Sequence, residues 1–300
     1  MAKTEMSLVD KIRNRLNENS GKELTKVFGE DDDLLQVKSW IPLKPFFKKN
    51  TGGDGFPCGH VTQIIGKPDS GKTTLMMEGM ISCQKLGGVA YLIDSEHKFS
   101  MGRFKLMGGN PRDIVVIQTD NLEEAWDAAE KILNEVTTLR EEGVTAPMML
   151  GWDSVAASVP ESIMGSESGD AHMAVEAKMN NKNIRRLRQM IKKTELACVF
   201  INHYYMTVPK SKYEQAELII KGGEEMSFLS TLVIRTKQGA KIERTVLGEK
   251  QQIGRTTRFY VHKGHLHGRT ITQDVSVVDI GILETAEELE KYQKSLRGEY

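Results

Sequence analysis

Short apolar runs alternate along this chain with stretches of helical spacing. Residues 61–65, 89–93, 114–118, 148–152 and 197–201 read as strands. Residues 72–85, 103–107, 122–141 and 174–193 read as helices. Alternation of this kind needs crossover connections, which predicts an α/β fold: a mostly parallel central sheet with helices on both faces. Past residue 224 the pattern changes. Residues 227–235, 257–262 and 272–278 read as strands joined by polar connections, so an antiparallel extension is expected. Near the start, Leu8, Ile12 and Leu16 fall at i, i+4 and i+8, one stripe of a short helix with Ser7 as its cap. Such a stripe must be buried, on its own core or on a neighbouring subunit. The expected organisation is an N-terminal helical arm over 1–50, a core over 51–283, and a short polar helix or frayed tail over 284–300.

A chain of 300 residues can bury about 75% of its unfolded surface, so it needs no disulfide or metal staple. Its 41 basic and 41 acidic residues cancel, so only their distribution can argue for a polyanion partner. Cys58, Cys83 and Cys198 are odd in number and far apart, which suggests reduced thiols. Residues 1–5 lead into no apolar signal core, and no run approaches the ~20 apolar residues of a membrane span. A cytoplasmic protein with no membrane partner is therefore expected.

The chemistry centres on Gly66-Lys67-Pro68-Asp69-Ser70-Gly71-Lys72-Thr73-Thr74, a G-x-x-x-x-G-K-[ST] phosphate loop. An apolar strand precedes it and a helix follows, as the motif requires. Loop amides and the helix's unpaired N–H groups face the anion, and Gly66 and Gly71 allow close backbone approach. Lys72 is placed to reach the outer phosphates of ATP, and the Thr73 hydroxyl to ligate Mg²⁺. Met148 to Asp153 is an apolar run ending in a carboxylate, a Walker B pattern that supplies Asp153 to the metal. Residues 90–97 end a second strand with Asp94 and Glu96. Glu96 lies beyond the strand edge, where it can hold an attacking water; otherwise it is a solvated loop acid.

Together with downstream motifs, these stretches resemble the RecA family of recombinases, in particular the UvsX-like recombinases of bacteriophages. The matching residues, over about 50–280, are Gly66 to Thr74, Ile93-Asp94-Ser95-Glu96-His97, Trp152 to Ala156, Gly169-Asp170-Ala171-His172-Met173, Phe200-Ile201-Asn202-His203 and Gly222-Gly223. The resemblance implies a helical filament on single-stranded DNA that pairs it with homologous double-stranded DNA, with ATP as the switch. A single-strand-binding protein and a loading mediator are further candidate partners. It assigns Lys72, Thr73 and Asp153 to phosphate and metal, Glu96 to water activation, and His203 to γ-phosphate sensing, where RecA has Gln and UvsX-like members have His. Asp69, Ser70 and Thr74 complete the nucleotide loop. Arg103 falls where RecA has a tyrosine over the adenine, which leaves nucleotide preference open. Lys263 and His265 match two lysines that RecA sends into the neighbour's ATP site. His265 is a departure, and Arg269 could substitute for it.

Two loops are expected at DNA. The first, 157–172, is Gly- and Ser-rich and leads to Met173, which matches an apolar wedge between base steps. The second, 204–224, carries Tyr204, Tyr205, Lys210, Lys212, Tyr213 and Lys221 and closes at Gly222-Gly223. Lysines for phosphates and rings for bases suit a single strand. Between the loops Lys178, Lys182, Arg185, Arg186, Arg188, Lys192 and Lys193 occur with no acid between Glu176 and Glu195. Seven like charges would repel without a polyanion nearby; the bland reading is a solvated helix face. Lys178 and Arg185 also match basic family positions near DNA. The chain leaves little room for the family's larger C-terminal domain, so secondary-duplex capture is expected to be reduced or carried elsewhere. A RecA-core ring helicase and a non-catalytic mediator are the competing readings.

Overall fold

The computed structural model describes residues 7–20, 37–163, 170–208, 215–221, 223–246, 249–264 and 272–298. The chain divides into two units, Met1–Gln36 and Val37–Tyr300. The first contributes α1 (Leu8–Ser20), where the Ser7 hydroxyl accepts the Asp10 N–H at 3.1 Å.

In the second unit the described elements follow in order: β1 (Trp40–Pro42), α2 (Pro45–Thr51), β2 (Gly55–Pro57), β3 (Val61–Ile65), α3 (Lys72–Lys85), β4 (Val89–Asp94), α4 (Met101–Leu106), β5 (Ile114–Gln118), α5 (Leu122–Glu141), β6 (Met148–Asp153), α6 (Asp170–Thr194), β7 (Ala197–Asn202), β8 (Tyr204–Met206), β9 (Leu218–Ile220), α7 (Glu224–Leu229), β10 (Leu232–Val246), β11 (Glu249–Gly264), β12 (Asp274–Val278), β13 (Gly281–Leu283) and α8 (Ala286–Ser295). Among the described residues nine strands form one sheet, ordered β13-β12-β11-β10-β3-β7-β6-β4-β5. β10, β3, β7, β6, β4 and β5 run parallel; β11, β12 and β13 extend the sheet antiparallel.

The central strands are buried on both faces, which is why most of them read as apolar runs without polar alternation; β3 carries buried Thr62 and Gln63. All five residues of β3 and all six of β7 are buried. On one face Leu75, Met76 and Met80 of α3 pack with Ile64, Val199 and Phe259. On the other, Trp126 of α5 meets Trp152 and Phe200 edge-on at 4.9 and 6.2 Å, and Ile184, Leu187 and Ile191 of α6 close the layer. The Trp126 N–H donates to buried Asn180 at 2.9 Å, so the indole is satisfied where it is desolvated.

The structure corrects three expectations. Residues 227–229 are helical, in α7, and the strand starts at Leu232. Met226 is buried and the Ser230 hydroxyl returns to its carbonyl at 2.7 Å, so a helical turn fixes the segment. Residues 257–262 belong to a longer strand, because β11 pairs with β10 as far as Val246 and Glu249. Residues 37–50 lie in the second unit, since Ile41, Phe46 and Phe47 are fully buried against its core. Of the two readings left open for the end of the chain, the structure shows the helix, α8, which is capped. Thr285 and Glu288 form a reciprocal capping box, and buried Tyr292 donates its hydroxyl to Asp279 at 2.7 Å. Cys58, Cys83 and Cys198 are buried free thiols. Among the described residues, no helix is long and apolar enough to cross a membrane.

Candidate nucleotide and nucleic-acid site

Sheet order explains how the candidate residues meet. β3, β7, β6 and β4 are neighbours and parallel, so the phosphate loop, His203, Asp153 and Glu96 all emerge at one carboxyl edge. Open α/β sheets collect ligands there.

At the end of β3 the chain turns through Gly66. A Cβ there would come within 1.8 Å of the Thr236 hydroxyl, so only glycine fits. Gly71 adopts φ 83° and leads into α3, whose first turn has no side-chain cap and no acidic residue. Its amides are therefore open to an anion. Ser70 shares its hydroxyl with Thr236 at 2.5 Å, which ties the loop to β10. Lys72 is buried, and its ammonium donates to the Gly66 and Lys67 carbonyls at 3.1 and 2.8 Å. Burial lowers its pKa, against the pull of Asp153, Glu96 and Asp69. These carbonyl bonds are ones a polyphosphate can replace.

The Thr73 hydroxyl donates to Asp153 at 2.6 Å. Burial raises the Asp153 carboxyl to about 6; the Thr73 hydrogen bond opposes this and the nearby Glu96 charge adds to it. A hydroxyl and a strained carboxylate side by side are hard oxygen donors, a set that fits Mg²⁺.

Asp94 is occupied within the turn that follows β4. It accepts the Lys98 and Phe99 amides and the Gln118 side chain at 3.1–3.2 Å. Glu96 is thereby held out over the edge. It accepts from Ser154 at 2.9 Å and Lys98 at 2.9 Å, and lies 3.4 Å from the His203 Nε2. Burial pushes the Glu96 carboxyl up, but the hydrogen bonds from Lys98, Ser154 and His203 outweigh it and hold it at about 2. Burial, and then the Lys72 charge, lower the His203 pKa, against the pull of Glu96.

Next to the loop, Arg103 donates to the Thr74 hydroxyl at 2.7 Å and to the Val278 and Asp279 carbonyls at 3.2 and 3.4 Å. It flanks a cavity of about 270 Å³ bounded by residues 69–74, Gln252, Arg255 and Val277. Gln252, Arg255 and Thr236 are missing from the sequence-based set, and Ser154 stands in it only within the matched stretch Trp152 to Ala156, without a role. Ser154 directly follows the Asp153 motif; the other three lie on polar stretches of strand that carry no chemical signature.

Residues 9–280 match the family described as RecA N-terminal domain. Protein RecA of Sulfurimonas denitrificans is 29% identical over 280 residues, covering 87% of this chain and 77% of that protein. Protein RecA of Thermotoga petrophila is 25% identical over 312 aligned positions, covering 99% of this chain and 83% of that protein. The chain belongs to the RecA family.

On this RecA-family core the nucleic-acid candidates fall into three groups. His265, Lys210, Lys212, Tyr213 and Gly222, with Arg269, lie outside the described residues, as do residues 164–169 and the side chain of Met173. Within the second loop, 204–206 pair antiparallel with 218–220, so a short hairpin stem replaces the expected plain loop. Tyr205 is 45% exposed at that stem. Gly223 has φ 103°, and a Cβ there would meet the Asn181 carbonyl oxygen at 2.9 Å, so glycine allows the return onto α6.

The third group is already partnered. Lys221 donates to the Ala156 carbonyl at 2.7 Å, so its amine ties the second loop to the turn that leads into the first. Arg185 forms a two-point pair with Glu225 at 2.7–2.8 Å, and Arg186 pairs with Glu130 at 2.8 Å. Lys193 has Glu141 at 3.9 Å. The run without local acids is therefore partly offset by acids brought in by the fold, and its charges do not demand a polyanion. Lys178, Lys182 and Arg188 remain exposed on α6. Lys263 sits opposite Val233, at the edge of the sheet away from its own phosphate loop, and donates to the Ser227 and Phe228 carbonyls at 2.9 and 2.6 Å.

The Arg185 pairing makes a prediction. Glu225→Gln releases this guanidinium, so affinity for a single-stranded oligonucleotide should rise and the slope of log K against log salt should steepen by about 1. Titrations at several salt concentrations check it. An unchanged slope removes Arg185 from the set of phosphate contacts.

Proposed function

We propose that this chain is an ATP hydrolase that assembles on single-stranded DNA as a helical filament and pairs that strand with homologous duplex. Its work is then DNA recombination, repair and recombination-dependent replication, in the manner of the UvsX-like recombinases. The relatives' printed name, Protein RecA, supports the class. His203 in place of the family's glutamine supports the subclass.

One observation carries the reading. Glu96, the candidate water-holding carboxylate, lies 3.4 Å from His203, and the next residue, Tyr204, begins the hairpin stem. A change at the outer phosphate thus has one residue to cross before it reaches the loop expected at DNA. Loop amides and Lys72 bind the polyphosphate, and Lys72 exchanges its two carbonyls for phosphate oxygens. Thr73 and Asp153 would hold Mg²⁺, which would supply positive charge against the phosphates. Glu96 orients a water, and His203 donates a hydrogen bond toward the γ-phosphate. Lys263 cannot serve its own loop from the far edge of the sheet, which favours a role in the site of the next protomer.

The test is ATP turnover with and without single-stranded DNA, with electron microscopy of the same mixture under a non-hydrolysable analogue. DNA-stimulated turnover and open helical filaments are expected. Closed rings would favour a helicase. Monomers without stimulation would leave only a nucleotide-binding domain.

A further inference from the structure

Two consecutive residues of β10 grip different machinery on opposite faces of the sheet. Thr236 hydrogen-bonds Ser70 at 2.5 Å and lies 3.3 Å from the Ile65 carbonyl, so it holds the phosphate loop. Side chains alternate along a strand, so Arg235 faces the other way. Its guanidinium sits 4.6 Å over the Tyr204 ring and 5.9 Å from the Tyr260 ring, and it donates to the Tyr204 hydroxyl at 3.1 Å. The Arg235 Nε–H is buried with no partner among the described residues. A polar group left unpaired in this way is kept in place by the stacking around it and not by its own hydrogen bonding. Arg235 itself pairs in register with Ile65, the last residue before the loop.

We propose that Arg235 is a positioning residue that couples the state of the phosphate loop to the β8–β9 hairpin stem. The proposal rests on the function argued above. The Lys67 carbonyl now takes both the Lys72 ammonium and the Ser70 hydroxyl, at 2.8 and 2.7 Å. When Lys72 turns to phosphate, Ser70 re-partners, and Thr236 and its strand respond. Arg235 carries that displacement through the stack to Tyr204. The coupling requires that the stem take two arrangements that differ in their grip on a single strand.

The experiment compares the full chain with Arg235→Met, Arg235→Lys and Tyr204→Phe. Turnover without DNA, KM for ATP, and the DNA-stimulated increment in kcat are measured for each. For Arg235→Met, DNA-free turnover and KM should stay within about twofold of wild type. Its DNA-stimulated increment should fall roughly tenfold, the size of an ordinary site-to-site coupling. Arg235→Lys keeps the charge and should recover part of the increment. Tyr204→Phe keeps the ring and loses the hydroxyl, so an intermediate loss is expected; with the lysine variant it decides the matter if the methionine variant does not fold. Full stimulation in Arg235→Met, or in both other variants, overturns the proposal. Equal loss of DNA-free and stimulated turnover overturns it too, because Arg235 would then only support the fold. A wild-type protein that DNA does not stimulate overturns the underlying function, and that result is visible before any variant is made.

Discussion

Replacing Glu96 with Gln is expected to slow ATP turnover by about 10²–10⁴-fold while leaving nucleotide affinity nearly unchanged. Glutamine keeps the shape and can still accept from Ser154, now at 2.9 Å. It loses the negative charge that draws Lys98 and His203. Removing a negative charge beside a polyphosphate does not weaken its binding, so the loss should fall on kcat and spare KM. The carboxylate, held at about 2, is fully ionised near neutrality. In this state it is a poor proton acceptor, and its contribution is to orient water. Base strength has to come from exchanging the Ser154, Lys98 and His203 bonds when substrate arrives. The linkage sign follows from the lowered pKa. The stability Glu96 contributes is present above its ordinary value of 4.5 and is lost as pH falls toward about 2. No acid limb in kcat/KM above pH 4.5 should therefore trace to this residue, since that ratio reports the free enzyme. Steady-state kinetics with parallel nucleotide-binding titrations check the split. A variant that keeps about a tenth or more of wild-type turnover removes Glu96 as the water-directing group.

Much of this site is legible in the sequence because period and motif coincide there. Val61 to Ile65 is β-branched and strand-like although Thr62 and Gln63 interrupt its apolar residues, the loop motif follows, and Lys72 to Lys85 has helical spacing, so strand, loop and helix support one another before any fold is known. Asp153 and Glu96 are readable for the same reason, each at the end of an apolar run. Other features were not legible, and each has a physical cause. The outer half of β10–β11 is polar, with Glu243, Arg244, Gln251 and Gln252, and strand signals rest on apolar alternation. Residues 227–229 look strand-like, but Met226 and Gly223 set a helical turn against α6. The acid that offsets Arg185 lies 40 residues further along, and the carbonyl that takes Lys221 lies 65 residues back. A helix face judged by its own sequence cannot see such partners, which is why the basic run overstated its free charge.

Asp153→Asn should make the metal-free protein more stable at neutral pH and far less responsive to Mg²⁺. Burial and the Glu96 charge raise the Asp153 carboxyl to about 6, above its ordinary 3.8. A group with a raised folded pKa contributes stability that is fully present below pH 3.8 and lost as pH rises through about 6. Above pH 7 the ionised side chain therefore costs the empty fold on the order of 1–3 kcal/mol. Asparagine removes that charge and can still accept the Thr73 hydroxyl, which now donates at 2.6 Å. The variant's melting temperature at pH 8 in a chelator should exceed that of wild type by several degrees, roughly 2–4 °C per kcal/mol for a domain of this size. At pH 4 the gap should close, since the wild-type carboxyl is then mostly protonated. Magnesium reverses the order by stabilising wild type selectively, and the Mg²⁺ needed for half-maximal turnover should rise about 10–100-fold in the variant. Thermal melts at both pH values, with chelator and with Mg²⁺, and a Mg²⁺ titration of turnover measure both effects. If the variant is no more stable than wild type at pH 8 and keeps the wild-type Mg²⁺ response, Asp153 is neither the strained carboxylate nor the metal's anchor.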